Sequence, residues 1–439
     1  MTAPTTSYHL RPRSGWINDP NGMARVDDVW HVFFQHNPHA PVHDRIAWGH
    51  ATSRDLAHWE LQPVAFSPSP GAPDAFGCWT GVFVPGHDRP AVVYSGIADD
   101  SRQSTICLRW GSADLRDWGA PIVVGRTPRQ DGIAVMRDPF VFEHDGRRLA
   151  VLGVGLADGA PAIALFDRSD ELSWRYEGIL LADDPVLAAV GRADVWECPQ
   201  LFALDGRWVL IVSLYNRGVL GDVVAAVGDL VDEGGSLRFV AERAHAVDEG
   251  ADFYSPQVVA DDDAPLLMGW IRQDGQDPRV RDHAGCLSLP RRLRLVGDLV
   301  VSDIDPGAAS ALTPGQARPL PAGRTDLADR RWALDVVGPG ARLDHPDLGE
   351  HDVAPGDRIW VDGAVVELYR AAGVPTTWRH DEPWTLLVPA DGAVEVEVLI
   401  KHDEDADAAR EAVGARFVHA EFFRQFVGAA DVGEFVEQG

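Results

Sequence analysis

Five short motifs return along the chain at a nearly fixed step: Asn18-Asp19-Pro20-Asn21-Gly22, Gly77-Cys78-Trp79-Thr80-Gly81, Arg137-Asp138-Pro139, Glu197-Cys198-Pro199 and Phe253-Tyr254-Ser255-Pro256. Measured on Asp19, Trp79, Asp138, Glu197 and Ser255, the steps are 60, 59, 59 and 58 residues. Self-similarity at a constant period is the mark of a solenoid, propeller or array. Each motif is followed by an apolar run, Trp30–Phe34, Ala91–Tyr94, Leu149–Leu152, Trp208–Val212 and Leu266–Trp270, bounded by Gly, Asp and Pro as strands are. The first three units close on a turn ending in Trp59, Trp118 or Trp174, which predicts an anchored outer strand. About four short strands per unit, five times over residues 1–300, predict an all-β fold: a five-bladed β-propeller, whose radial repetition leaves only short edges. Equivalent positions then converge on one axis, so Asp19, Asp138 and Glu197 are expected in a single pocket.

Beyond residue 300 the repeat stops, and the Ala-, Pro- and Gly-rich stretch Ala308–Gly323 reads as a linker or loose loop. Residues 301–439 are expected to form a small C-terminal β-sandwich. Asp357–Tyr369 reads as a hairpin turning at Asp362-Gly363, while Trp384–Val388 and the alternating Val394–Val398 add strands. Apolar Val413, Phe417, Ala420 and Phe423 at helical spacing suggest a terminal helix over Asp405–Phe426. With 439 residues and 45% hydrophobic content, the chain can fill a large core and a second, smaller one.

A net charge of −28 argues against nucleic acid and anionic membranes as partners, since both are bound through Lys/Arg-rich patches. Residues 1–15 lack the apolar run of a secretory signal, and no stretch approaches the roughly 18 apolar residues of a membrane span, so a cytoplasmic location is expected. Cys78, Cys107, Cys198 and Cys286 are too few for a disulfide scaffold and are expected as buried free thiols. Whether the chain forms a homo-oligomer is left open.

Paired carboxylates flanking a bond are what glycoside cleavage uses: one protonates the leaving oxygen, the other attacks or activates water. Three convergent acids supply both. In these motifs the chain resembles the β-fructosidases of glycoside hydrolase family 32, which includes invertases and fructan hydrolases. The likeness extends to Phe34-Gln35-His36-Asn37-Pro38, Trp48-Gly49-His50-Ala51, Asp252–Gln257 and Leu287–Arg291, and spans most of the chain.

The resemblance implies a retaining, two-step release of β-linked terminal fructose from sucrose or short fructo-oligosaccharides. Asp19 matches the nucleophile, Asp138 the transition-state stabiliser and Glu197 the general acid/base. Asn18, Gln35, His43, Trp79, Thr80, Arg137, Tyr254 and Trp270 are expected to bind the sugar. Glu197 is expected to hold a proton because two carboxylates face it, while Asp138 stays ionised. No metal or cofactor is called for, and His36, His39 and His43 read as loop histidines rather than ligands. Cys198 reads as a packed thiol. The match weakens where His43 stands in place of a pocket Trp, Thr80 in place of Ser and Met136 in place of Phe. Alternatives are a fructosyltransferase using the same intermediate, action on sucrose 6-phosphate, an arabinan- or xylan-directed propeller hydrolase, and a non-catalytic sugar-binding relative.

Overall fold

The computed structural model describes residues 7–101, 103–261, 263–273, 282–313, 318–327, 330–390 and 394–401, so the stretch Asp405–Phe426 lies outside the described residues. The structure is mostly β, with seven sheets among the described residues. Five follow one another in sequence. Sheet I holds Gly15–Val26, Val29–Asn37, Ala47–Ser53 and Glu60–Leu61; sheet II holds Gly77–Phe83, Ala91–Ile97, Ser104–Trp110 and Ile122–Arg126. Sheet III holds Ile133–His144, Arg147–Leu156, Pro161–Asp167 and Arg175–Ala182; sheet IV holds Val195–Leu204, Arg207–Asn216, Val219–Glu233 and Ser236–Ala246. Sheet V is built on Phe253–Val259, Leu266–Ile271, Arg291–Val296 and Leu299–Ile304. The apolar run after each motif is the second strand of its sheet, and Trp59, Trp118 and Trp174 lead into the fourth.

Each motif lies in the first strand of its sheet. In all five the ladder to the second strand loses register at the motif, between Ile17 and Pro20, Cys78 and Gly81, Arg137 and Phe140, Glu197 and Gln200, and Tyr254 and Gln257. The cause is in the sequence: four motifs contain Pro, which has no N–H to give to a ladder. A bulge of this kind re-aims side chains away from the sheet. Asp138, Cys198 and Ser255, each just before a Pro, take left-handed backbone conformations at φ 62°, 48° and 44°. For non-glycine residues these cost about 1 kcal/mol or more apiece and are typical of functional sites.

The first strands of consecutive sheets pack against each other, and that of sheet V packs against that of sheet I. His283–Ala284, from the connection within sheet V, pairs in parallel with Gly15 and Trp16 and ties the last sheet to the first. Close approach is enforced at Gly153, where any Cβ would collide with the carbonyl oxygen of Trp196 on the neighbouring sheet.

The remaining strands form sheet VI, in the order Arg318–Leu320, Val394–Lys401, Arg330–Val336, Arg358–Asp362, Val365–Tyr369 and Thr376–Arg379, and sheet VII, in the order Gly323–Asp326, Thr385–Val388, Ala341–His345 and Gly349–Val353. Leu334, Ile359 and Val366 of sheet VI share one apolar core with Leu343, Leu386 and Val388 of sheet VII. The hairpin turns at Gly363, φ 64°, as the Asp-Gly signal predicts. The expected loose loop after residue 308 is corrected in part. Pro306–Leu312 is helical, because Asp305 caps it through Ala308 N–H (2.8 Å) and Pro306 suits a first turn.

A buried charge network joins sheet V to sheet VI. Arg291, fully buried, donates to Asp248 Oδ2 (2.8 Å), Glu367 Oε2 (2.5 Å) and Thr377 Oγ1 (2.7 Å). His9 bridges Glu367 Oε1 (2.8 Å) and Asp362 Oδ2 (3.0 Å). Burial opposes ionisation of Glu367, yet Arg291 and His9 outweigh it and bring its pKa down to about 2. Removing one member of such a cluster leaves an uncompensated buried charge, so Arg291→Met is expected to lower stability by about 3–5 kcal/mol. Chemical denaturation measures this; a loss under about 1 kcal/mol, the range of an exposed ion pair, would contradict the reading of a desolvated network.

Candidate active site

A cavity of about 500 Å³ opens among the first strands of the five sheets. Asn18, Asp19, Gln35, His43, Trp79, Thr80, Arg137, Asp138, Glu197, Tyr254 and Trp270 all line it, so every residue singled out as a sugar contact or catalytic acid is brought to one place. The three acids come from the bulged strands of sheets I, III and IV. A larger groove of about 710 Å³, between sheets I and II around His31 and His50, contains none of them.

Asp19 is buried, and both its oxygens accept hydrogen bonds. Asn18 Nδ2 donates to Oδ1 (3.0 Å); Gln35 Nε2 (2.8 Å) and Thr80 Oγ1 (2.5 Å) donate to Oδ2. Burial raises its pKa above the ordinary carboxylate value, and the Thr80 and Asn18 bonds oppose that rise. Asp138 is equally enclosed: its N–H donates to Ser95 Oγ (2.7 Å) and its Oδ2 accepts from Cys198 N–H (3.0 Å). Glu197 is more open. Arg137 Nε donates to its Oε1 (2.8 Å) and Tyr254 OH to its Oε2 (2.7 Å).

This arrangement departs from the expected distribution of protons. Asp138, expected to stay ionised, is instead pushed up to about 7, by burial first and then by the charge of Glu197, with Arg137 pulling the other way. Mutual repulsion couples the ionisation of Asp138 to the charge of Glu197.

A stability consequence follows. An Asp138 carboxyl that holds its proton to about pH 7 when folded, but to 3.8 when unfolded, contributes stability that is full below 3.8 and lost as pH rises through 7. Asp138→Asn is therefore expected to raise unfolding free energy by about 1–3 kcal/mol at pH 8 and by almost nothing at pH 4. Equal effects at both values, read by denaturation, would rule out a desolvated carboxylate as the cause.

Aromatic rings form the wall. Trp16 packs edge-on against Trp270 (5.4 Å between centroids) and His43 (6.2 Å), and His43 against Trp79 (5.6 Å). Such faces suit the apolar side of a sugar ring, with the carboxylates and amides beside them to take hydroxyls. Sequence reasoning missed Asp194, Tyr215 and Ser101, which also line the cavity. Tyr215 is the penultimate residue of the second strand of sheet IV, and the Arg137 guanidinium lies 5.2 Å over its ring. Only its place at the close of an apolar run pointed to it.

All four cysteines are free and buried, and Cys198 sits on the cavity floor with Sγ 3.5 Å from Asp138 Oδ2 and 3.7 Å from Asp19 Oδ2. Burial and the three surrounding carboxylates raise its pKa well above the ordinary value, which keeps it a thiol. Elsewhere, His345, Asp347 and His380 stand close enough to suggest a cation site. Yet His345 Nδ1 accepts the N–H groups of Asp347 and Leu348, and its Nε2 donates to Glu382 O (3.1 Å), so the ring has no lone pair to give.

Residues 9–302 match the model of the Glycosyl hydrolases family 32 N-terminal domain. The sucrose-6-phosphate hydrolase of Zymomonas mobilis subsp. mobilis is 32% identical over 311 residues, 67% of this chain and 60% of that protein. The raffinose invertase of Escherichia coli is 31% identical over 315 residues, 65% of this chain and 61% of that protein. The chain thus spans about three-fifths of the length of these curated relatives. Among solved structures, a GH32 beta-fructofuranosidase of Bombyx mori superposes with a TM-score of 0.75 at 21% identity, covering 91% of this chain and 94% of that one. The sucrose-6-phosphate hydrolase of Lactobacillus gasseri does so with 0.75 at 19%, covering 90% and 93%.

Proposed function

From a chain that belongs to glycoside hydrolase family 32, we propose a retaining glycosidase that releases terminal β-linked fructose from sucrose or short fructo-oligosaccharides. The observation that carries this reading is the convergence of Asp19, Asp138 and Glu197, from three separate sheets, on one cavity walled by Trp16, Trp79, Trp270 and His43. The five consecutive sheets are read as the blades of a propeller over residues 1–300, whose last strand runs on to Ile304. Sheets VI and VII are read as a β-sandwich within residues 301–439.

Asp19 attacks the anomeric carbon of the fructosyl unit while Glu197 protonates the departing glycosidic oxygen. Glu197 then takes a proton from water as it opens the fructosyl ester and frees Asp19. The donors on both Asp19 oxygens oppose the rise that burial causes and aim the carboxylate. Asp138 binds sugar hydroxyls whose hydrogen bonds tighten as positive charge develops at the ring, and Arg137 orients Glu197 through Nε. One proton must reside on the Asp138 and Glu197 pair for the first step. Because Asp138 holds one up to about pH 7, kcat/KM is expected to fall as pH rises through about 7. A profile flat to pH 9 would contradict proton donation by this pair.

Several relatives are named for sucrose 6-phosphate. Here Arg137 is the only Lys or Arg lining the cavity among the described residues, and Asp19, Asp138, Asp194 and Glu197 line it too. That balance favours a neutral sugar over a phosphorylated one. Incubation with sucrose, 1-kestose, sucrose 6-phosphate and an aryl arabinoside, with products separated by chromatography, tests the reading. Fructose release, faster from unphosphorylated sugars, is expected. Growth of longer oligosaccharides from sucrose would replace hydrolysis with transfer, and cleavage of the arabinoside alone would overturn the fructosidase.

A further inference from the structure

Building on the fructosidase reading, we infer that His43 is a positioning residue for Asp19, acting through the side-chain amide of Gln35. Gln35 Oε1 can only accept a hydrogen bond, so the His43 Nε2 that lies 3.2 Å from it carries a proton. With its oxygen held there, Gln35 directs its two amide protons to Asp19 Oδ2 (2.8 Å) and Thr80 Oγ1 (2.7 Å). The Thr80 hydroxyl in turn donates a hydrogen bond to the same Oδ2 (2.5 Å). Every donor in the chain thus points from His43 toward the nucleophile.

The alternative amide orientation shows what His43 secures. Turned by half a rotation, Gln35 would set its oxygen 2.8 Å from a carboxylate oxygen, two acceptors with no proton between them. The His43 N–H reinforces, from the oxygen side, the orientation that the carboxylate requires. The other carboxylate oxygen is served in the same way: Trp16 Nε1 donates to Asn18 Oδ1 (2.6 Å), which leaves Asn18 Nδ2 for Asp19 Oδ1. The Trp16 arm is buried in the first strand of sheet I, whereas His43 belongs to an exposed loop. The nucleophile's environment is therefore adjustable from the surface at this one residue.

Other groups bear on Asp19 as well. Asp138 of sheet III, Glu197 and Cys198 of sheet IV and Tyr254 of sheet V face it, with Arg137 as the nearby cation, and Asp44 and Arg45 flank His43 in the loop. All are common to wild type and variants at position 43, and the imidazole's own charge is lost in His43→Phe and His43→Gln alike, so the difference between these two variants reports on the relay.

Two substitutions separate the N–H from the ring. His43→Phe keeps a ring against Trp16 and Trp79 but donates nothing; His43→Gln keeps a donor. In His43→Phe the acid limb of kcat/KM on sucrose is expected to move up by about 0.5–1 pH unit, the worth of one hydrogen bond to the ionised form. His43→Gln is expected to return most of that shift. The second readout needs no turnover: titration of the Asp19 carboxyl by ¹³C NMR in aspartate-labelled protein, assigned by its loss in Asp19→Asn. The same upward shift is expected there in His43→Phe. An unmoved midpoint in His43→Phe, or equal shifts in His43→Phe and His43→Gln, would overturn the relay. A shifted midpoint in a protein that releases no fructose would leave the relay standing and overturn the functional reading instead.

Discussion

Asp19→Asn is expected to cut the rate of fructose release by about 10⁴-fold or more, with an unchanged circular dichroism spectrum. An amide cannot form the acyl-type ester with the anomeric carbon, so the two-step route is closed, not slowed. The substitution keeps the shape of a side chain held by Asn18, Gln35 and Thr80, which is why the fold is expected to survive. KM is expected to change far less than kcat, because the nucleophile stabilises the transition state more than it holds the ground state. A variant retaining a tenth of wild-type turnover would assign the nucleophile elsewhere.

Glu197→Gln is expected to behave differently. Loss of a general acid costs about 10²–10⁴-fold when the leaving oxygen needs a proton, as the glucosyl oxygen of sucrose does. With an aryl fructoside the phenolate leaves unaided, so the first step is expected to run near its normal rate. The second step, lacking its base, then becomes limiting. A burst of phenol followed by slow turnover is the expected course, and equal losses on sucrose and the aryl fructoside would contradict the acid role. Glu197 is the acid best placed for this duty, being the most open of the three, with Arg137 and Tyr254 fixing its two oxygens.

What could be read from the sequence follows from what a repeat reveals. A period near 59 residues makes five motifs equivalent, so Asp19, Asp138 and Glu197 could be placed together without knowing any contact between them. The prolines in four of the motifs were equally visible, and they are the reason the ladders break where side chains must turn inward. Side chains that meet the acids from strands without a motif were not legible. Ser95, which accepts the Asp138 N–H, and Tyr215, beneath Arg137, sit in apolar second strands that look alike in every unit. Nor was the seat of the shared proton legible, since it depends on which carboxylate Arg137 and Tyr254 reach. Arg291 could be seen as part of a motif, but its partners Asp248, Glu367 and Thr377 lie 43, 76 and 86 residues away and belong to no repeat. The helix Pro306–Leu312 was hidden in a composition that also suits a loop, and only Asp305 as its cap distinguishes the two.

The central claim is that Asp19 becomes covalently bound to fructose. The most direct measurement is mass spectrometry of Glu197→Gln after mixing with an aryl fructoside and quenching in acid, because in that variant the ester forms without the acid and is hydrolysed slowly without the base. The expected result is one fructosyl unit on the peptide containing Asp19. Phenol release with no adduct, or an adduct on the peptide containing Asp138, would contradict it.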